Sequence, residues 1–537
     1  MMKKIVLLMA FLALLTLPLF AGGGGQSGGG QAAPAAESSK FGTGKISYPI
    51  KTDVTLTHWV AVNQNIMANY ASMGDTVFGK TREEKTGVKV QYIHPPAGSD
   101  TEQFNLIIAS GDYPDIMERT WINYTGGPEK AISDGIILRL NDIFDKYGPN
   151  VKAYFSARPD YDKQVKTDNG SYYVFPYVRG DFSLLVTNGP QIRQDWLDEL
   201  GLKVPETMDD WHTVLTAFKE KKGARAPFTF TNWNLVPFAY AHGVMPRAFY
   251  VDDNGKAVYS PIQEGYRGYL TLMNQWYKEG LIDPDIVSNT TALLNQKIVG
   301  NVAGAAAAQV GQGMGTWTAN ARPSNPKFKL TATPYPVLKK GDKVSMIYTS
   351  FPYSGSASAA ITTKCKDVEV AARYLDWNYG EEGHNVNNFG LEGVSYNWIN
   401  GYPTFTDLIF HNPNGWPVAQ SLATYALSQG SGPYIQDARY LEQYYALPEQ
   451  AAAVKTWPFP EMLKHLMPPV TPTPDESREY AQIMGEITTY QTEMEVKFIL
   501  GTESLSNFDT YVSTIKRMGI DRAAAIQDAA LIRYAKR

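Results

Sequence analysis

Short apolar–polar alternations and amphipathic helical stretches follow one another along the chain from residue 46 onwards. Residues 54–59 and 88–92 alternate apolar and polar positions, which predicts two half-buried strands. Between Thr207 and Gly223, the apolar residues Trp211, Val214, Leu215 and Phe218 recur at helical spacing. Thr207 is suited to cap this helix and Gly223 to end it. Strands alternating with helices predict an α/β fold.

The last part of the chain is predicted to be largely helical. Residues 473–476 read Thr-Pro-Asp-Glu, a capping box with proline at the first helical position, and open a helix predicted to run through Ile499. A second apolar face, from Phe508 to Met518, ends at Gly519. Residues 252–255 (DDNG) lie between two short β-like runs, which predicts a hairpin turn and not a calcium loop.

The N-terminal residues read as an export signal. Lys3 and Lys4 precede an apolar run, and residues 19–21 (LFA) form a cleavage site, so residues 1–21 are a predicted signal peptide. An uncleaved anchor is the alternative. A lipoprotein would carry cysteine where this chain has Gly22, so no lipid anchor is expected. Residues 22–45 are a Gly/Ala-rich linker. The predicted location is periplasmic or extracellular.

Composition narrows the possible functions. The chain has 537 residues, enough for several domain-sized units, and a formal net charge of −4. That balance gives no basic surface for nucleic acid or for an anionic membrane. The single cysteine, Cys365, excludes an internal disulfide and a cysteine-based zinc cluster. Aromatic residues make up 12%, which favours aromatic binding surfaces besides the core.

One catalytic-looking motif is interpreted as a chance match. Residues 74–81 (GDTVFGKT) fit the phosphate-binding loop pattern, but the residues before them are polar and helix-like instead of a buried strand. The histidines are scattered, and neither a zinc-protease motif nor a serine nucleophile elbow occurs. No catalytic residue, metal site or cofactor is therefore predicted.

Segments spread over more than 300 residues resemble those of a known family, in the same order. They are residues 84–88 (EKTGV), 103–116 (QFNLIIASGDYPDI), 192–202 (IRQDWLDELGL), 205–211 (PETMDDW), 215–219 (LTAFK), 279–284 (EGLIDP), 366–372 (KDVEVAA) and 390–396 (GLEGVSY). The chain resembles extracellular solute-binding protein family 1, the sugar-binding subunits of ABC importers, and most closely its LipO-type branch.

The resemblance implies a two-lobed periplasmic-binding-protein fold of type II, with a hinge of crossing strands and a helical C-terminal part. Residues 46–180 with 358–402 are the expected first lobe, and residues 181–357 with 403–537 the second. The chain is expected to cross near residues 175–181 and 356–361 and around Tyr402. Members of the branch often carry a calcium loop where residues 220–227 (EKKGARAP) lack a carboxylate cluster, so no cation is expected there.

By the same resemblance, the protein is expected to be a monomer that binds a carbohydrate, an oligosaccharide, in the cleft between its lobes and delivers it to the ABC permease. Aromatic platforms and hydrogen-bonding groups suit a sugar. The candidate ligand-binding residues are Trp59, Trp121, Arg179, Asp181, Trp233, Trp317, Tyr353 and Glu392.

Alternatives remain open at this stage for the candidate residues. Each tryptophan could belong to the core, Arg179 and Asp181 could pair with each other, and Glu392 could hydrogen-bond within its loop. A secreted glycoside hydrolase that uses cleft carboxylates such as Asp181 and Glu392 is the alternative function.

Overall fold

The computed structural model describes residues 39–355, 358–427 and 432–537. The predicted signal peptide and most of the predicted linker lie outside these residues. Within the described ranges, no helix is long and apolar enough to cross a membrane.

The strands form two four-stranded sheets and three two-stranded ribbons within the described residues. The strands are β1 Thr55–Val60, β2 Lys89–Ile93, β3 Ile116–Arg119, β4 Val178–Arg179, β5 Asn188–Arg193, β6 Phe228–Phe230, β7 Phe249–Val251, β8 Ala257–Tyr259, β9 Ala305–Gln309, β10 Leu330–Ala332, β11 Ser358–Ile361, β12 Tyr396–Ile399, β13 Tyr402–Phe405 and β14 Ile435–Gln436.

Helices connect and cover these strands. They are α1 Gln64–Met67, α2 Val77–Thr86, α3 Asp100–Ser110, α4 Gly127–Ser133, α5 Asn141–Tyr147, α6 Pro149–Ser156, α7 Pro159–Val165, α8 Gln194–Leu200, α9 Met208–Lys222, α10 Pro237–Ala241, α11 Glu264–Lys278, α12 Thr291–Val299, α13 Thr316–Ala321, α14 Val368–Asp376, α15 Glu381–Phe389, α16 Asp407–Phe410, α17 Val418–Tyr425, α18 Ala438–Tyr444, α19 Pro448–Thr456, α20 Pro474–Leu500, α21 Phe508–Arg517 and α22 Ile520–Tyr534.

The first sheet has the order β11-β3-β1-β2. Strand β1 runs parallel to β2 and β3, and β11 runs antiparallel to β3. Helices link the parallel strands, as parallel pairing requires. The register places Val60 opposite Glu118, so the ends of β1 and β3 lie side by side. We call the elements packed around this sheet the first lobe.

The second sheet has the order β10-β5-β9-β6, with β5 antiparallel to both of its neighbours and β6 parallel to β9. The elements around it form the second lobe. Between the lobes, β4 pairs in parallel with β14, and the Arg179 amide donates to the carbonyl of Pro352. Three distant segments of the chain therefore meet at one junction.

The C-terminal helices belong to the second lobe. Phe498 on α20 and Tyr511 on α21 pack with Trp211 and Phe230 on one face of the second sheet. Phe389 and Phe405 pack with Trp317 on its other face. The lobe boundaries at residues 180, 357 and 402 stay predictions.

Several local predictions are confirmed in the structure. The strands predicted at 54–59 and 88–92 are β1 and β2. Helix α9 begins with a capping box between Thr207 and Asp210 and ends at Gly223, which has a positive φ. Helix α20 begins with the capping box of Thr473 and Glu476. The predicted hairpin is the β7–β8 pair.

The segment that matches the phosphate-binding pattern is a short 3₁₀ turn followed by α2. A Cβ at Gly79 would lie 2.4 Å from the carbonyl oxygen of Met73, so glycine is required here for close packing of the backbone. A phosphate-binding loop requires a strand that leads directly into it. None of the described strands does so here.

Candidate functional site

A cavity of about 550 Å³ opens where β1 and β3 end in the first sheet. It is lined by residues 59–63, Ile66, Met73, Asp100, Thr101, residues 118–120, Asn123, Ala423, Ala426 and Leu427. We call it the first-lobe pocket. Ligand sites in open α/β sheets commonly lie beyond the carboxyl ends of the strands, and this volume is in the usual range for small-molecule sites.

Neighbouring residues at the end of β3 point to opposite faces of the sheet, because side chains alternate along a strand. Arg119 lies on the face of α3, where its guanidinium carbon is 3.4 Å from the ring centroid of Phe104. Glu118 lies on the other face, where its Oε2 is 3.5 Å from Nε2 of His58. The first-lobe pocket therefore combines a cationic group and a carboxyl group with an apolar wall.

Burial changes the acidity of Glu118. The loss of solvent raises the pKa of this carboxyl to about 8, although the positive charge of Arg82 opposes the rise. His58 is buried as well, and burial lowers the pKa of its imidazole well below the usual value, with the charges of Arg82 and His94 acting in the same direction.

Of the eight predicted ligand-binding residues, only Trp59 lines the first-lobe pocket. Its side chain is otherwise buried, and its ring lies 6.3 Å from that of Phe104. Its predicted contact with a ligand stays a prediction.

Three other predicted aromatic residues are enclosed by core side chains in this structure. Trp121 donates its indole N–H to the carbonyl of Met117 at 3.1 Å. Trp317 donates to Oδ1 of Asn295 at 2.6 Å. Tyr353 shares a hydrogen bond with the hydroxyl of Tyr173 at 2.7 Å. These contacts are those of buried aromatic residues with satisfied polar atoms.

Trp233 is partly exposed in a 3₁₀ turn that follows β6 in the second lobe. The guanidinium carbon of Arg247 lies 4.8 Å from its ring centroid. Arg247 in turn donates to the buried carboxylate of Glu495 on α20 at 2.7 Å. The buried carboxylate of Glu495 thus positions the Arg247 guanidinium that stacks on Trp233.

The predicted charged residues lie elsewhere. Arg179 donates to the hydroxyl of Ser350, and Asp181 accepts hydrogen bonds from the amide and hydroxyl of Ser183. Asp181 lines one cavity of about 570 Å³ and Glu392 lines another of the same volume. The two carboxylates proposed for a glycoside hydrolase therefore do not share a cavity.

The polar residues of the first-lobe pocket that the sequence pattern did not indicate are Asp100, Glu118, Arg119, Asn63 and Asn123. Glu118 and Arg119 lie two and three residues after Ile116, which ends the resembling segment 103–116. Parallel strands end at the same edge of a sheet, so the end of β3 lies beside the end of β1. This position could have indicated Glu118 and Arg119 as pocket residues. Among the described residues, no group of three or more His, Cys, Asp or Glu side chains is arranged to hold a metal ion.

Comparisons with known proteins agree with this architecture. The fructooligosaccharide ABC transporter substrate-binding protein FusA of Streptococcus pneumoniae serotype 4 is 29% identical over 220 residues, 38% of this chain and 40% of that protein. Lipoprotein LipO of Bacillus subtilis is 26% identical over 383 residues, 67% of this chain and 72% of that protein. The first of these alignments thus spans less than half of the relative.

A solved structure matches over nearly the full length. The alginate-binding protein AlgQ2, in a crystal structure without calcium ion, superposes with a TM-score of 0.71 at 26% identity and covers 90% of this chain and 99% of that one. The predicted periplasmic-binding-protein fold is confirmed.

The model of the bacterial extracellular solute-binding protein family matches residues 61–385. Members of this family bind solutes and are not enzymes, which confirms the non-enzymatic prediction and sets the hydrolase alternative aside. The chain belongs to the bacterial extracellular solute-binding protein family.

Proposed function

We propose that the protein is the extracytoplasmic substrate-binding subunit of an ABC importer and that it binds an oligosaccharide in the first-lobe pocket. Closure of the second lobe over the sugar and delivery to the membrane permease complete this function. No bond of the sugar is broken in the process.

The relatives support a carbohydrate as the ligand. FusA is named for fructooligosaccharides, and AlgQ2 for alginate. The two names cover a neutral and an acidic sugar, so they favour the class of ligand without selecting one member.

The composition of the first-lobe pocket is the observation that carries the proposal. Sugars present apolar C–H faces ringed by hydroxyl groups. Trp59 and Ile66 supply apolar surface, and the side chains of Asn123, Arg119 and Glu118 supply donors and acceptors at the same strand ends. The volume of about 550 Å³ is sufficient for several sugar rings.

Isothermal titration calorimetry with a sugar panel tests the proposal. The panel consists of kestose, raffinose, a galacturonate trimer and an alginate oligomer. We expect micromolar or tighter binding of at least one of them. The variant Asn123→Ala, which removes an exposed amide from the pocket, should weaken that binding about tenfold, close to the value of one hydrogen bond between neutral groups.

Glu392→Gln is the matched comparison, because Glu392 is exposed and lines a different cavity. Unchanged affinity in this variant supports the first-lobe pocket as the site. Weakened binding in Glu392→Gln with normal binding in Asn123→Ala would move the site to the Glu392 cavity. Failure of all four sugars to bind would reject the carbohydrate proposal.

The proposal also covers the cellular location and the oligomeric state of the protein. The family is extracellular, and LipO is named a lipoprotein. We expect this chain to be exported without a lipid anchor, because Gly22 stands where a lipoprotein carries its cysteine. We also expect a monomer that contacts the permease through both lobes.

A further inference from the structure

A buried histidine–glutamate pair reaches the wall of the first-lobe pocket. His58 is 1% exposed and Glu118 is 8% exposed, and Glu118 lines the pocket. Nε2 of His58 lies 3.5 Å from Oε2 of Glu118. Neither ring nitrogen of His58 has a hydrogen-bond partner among the described residues. Two buried polar side chains thus face one another without a hydrogen bond to His58 among the described residues.

Other titratable or charged groups lie near the pair. They are Arg82 on α2, Tyr92 on β2, whose ring stacks on that of His58, His94 after β2, and the phenols of Tyr374, Tyr379 and Tyr434. The Arg82 guanidinium stacks on Tyr374, with its carbon 4.1 Å from the ring centroid. Among the described basic side chains, only His58 comes within ion-pair distance of Glu118.

The number of protons on the pair follows from these surroundings. A charged imidazolium beside a carboxylate and a neutral imidazole beside a carboxylic acid contain the same number of protons. The titration therefore belongs to the pair and not to either residue. Removal of the shared proton leaves a carboxylate that is almost fully buried and, among the described residues, has no lysine or arginine within ion-pair distance, which is strongly unfavourable.

We propose that Glu118 and His58 hold one proton between them at neutral pH and that the first-lobe pocket binds its sugar only with that proton in place. The dependence of sugar binding on the proton rests on the proposed function, whereas the shared proton itself concerns the protein alone. A sugar in the pocket removes water from Glu118 and so penalises the ionised carboxylate further. Binding and retention of the proton are then linked, and each favours the other.

The first experiment uses no sugar. The unfolding equilibrium constant is measured by urea denaturation for the native sequence and for Glu118→Gln between about pH 6.5 and about pH 8. Glutamate in the unfolded chain is ionised over this whole range. The ratio of the native unfolding constant to that of Glu118→Gln should therefore rise with pH, by about 15-fold over the interval for a pair that ionises at about pH 8, because only the native sequence binds the extra proton when folded.

Glu84→Gln is the matched control, since Glu84 is an exposed carboxylate on α2. Its unfolding constant should follow that of the native sequence at every pH. If Glu118→Gln also follows the native sequence to within about twofold, the shared proton does not exist and the inference is wrong.

A spectroscopic measurement on the unmodified protein covers the case in which Glu118→Gln fails to fold. In the nitrogen spectrum of labelled histidines, one ring should stay neutral well below the usual pKa of histidine and should shift only near pH 8, as its neighbour ionises. Ordinary titration of every histidine between about pH 6 and 7.5 would reject the pair.

The sugar experiment uses the same four sugars, kestose, raffinose, the galacturonate trimer and the alginate oligomer, at pH 7 and pH 9. Affinity for the sugar that binds should fall about tenfold at the higher pH in the native protein and stay constant in Glu118→Gln. Equal affinity at both pH values in the native protein rejects the linkage while the proposed function stands. Absence of binding by all four sugars rejects the linkage and the proposed function together, and the sugar-free experiment then tests the shared proton alone.

Discussion

Replacement of Trp121 by alanine tests whether a tryptophan at a strand end faces the sugar or the core. Trp121 is fully buried, and its ring lies edge-on to Phe104 at 5.7 Å. Truncation of a buried tryptophan costs about 3–5 kcal/mol. The lost hydrogen bond to Met117 adds about 1 kcal/mol. The expected loss of about 4–6 kcal/mol is a large part of the 5–15 kcal/mol that usually stabilises a domain.

Urea denaturation monitored by circular dichroism measures this loss of stability. Calorimetry with the sugar that binds measures affinity. We expect a much lower unfolding midpoint but near-normal affinity under conditions where the variant is folded. Trp121→Phe keeps an aromatic ring and should recover more than half of the stability. A stability loss below about 1.5 kcal/mol together with a large loss of affinity would refute the core assignment and restore Trp121 as a ligand contact.

Four further outcomes are expected. Asp283→Asn should lower the melting temperature at pH 7. Burial of Asp283 favours its neutral acid, but its hydrogen bonds, first that from Lys297, outweigh burial and hold the pKa of Asp283 below its usual value. That contribution is present above about pH 4 and is lost as pH falls through the folded pKa, so the two melting curves should converge in acid. Mass spectrometry of the exported protein should find an N-terminus at Gly22 without lipid. Lys80→Ala should leave sugar affinity and stability unchanged, and calorimetry should detect no ATP binding. Small-angle scattering should show a more compact particle once the sugar is bound, as expected when the lobes close.

The local elements could be predicted because their signals are carried by neighbouring residues. The capping box of Thr473 and Glu476 needs only four consecutive residues, and the structure places the start of α20 there. The apolar stripe from Trp211 to Phe218 likewise packs on one face of α9. The relation between the two sheets depends on residues far apart in the chain, and it came from the family resemblance instead.

The candidate site was harder to predict because one residue of offset along a strand changes the face on which a side chain lies. His58 and Trp59 are neighbours, yet His58 faces Glu118 and Trp59 faces Phe104. Trp121 follows β3 by two residues, but the 3₁₀ turn there directs its indole back to Met117. Position at a strand end predicts proximity to the pocket without predicting the direction of the side chain.

Contacts between the C-terminal helices and the first lobe limit how the protein can close. Arg533 and Arg537 both donate to the carboxylate of Asp168, and Arg533 also donates to Glu476 at the start of α20. Asp168 is largely buried, so separating it from both arginines would leave an uncompensated charge with little access to water. Motions that keep these ion pairs are therefore favoured over motions that break them. Closure on a sugar should then pivot near Asp168, and the first-lobe pocket should narrow by rotation of the second lobe instead of by a uniform approach of the two lobes.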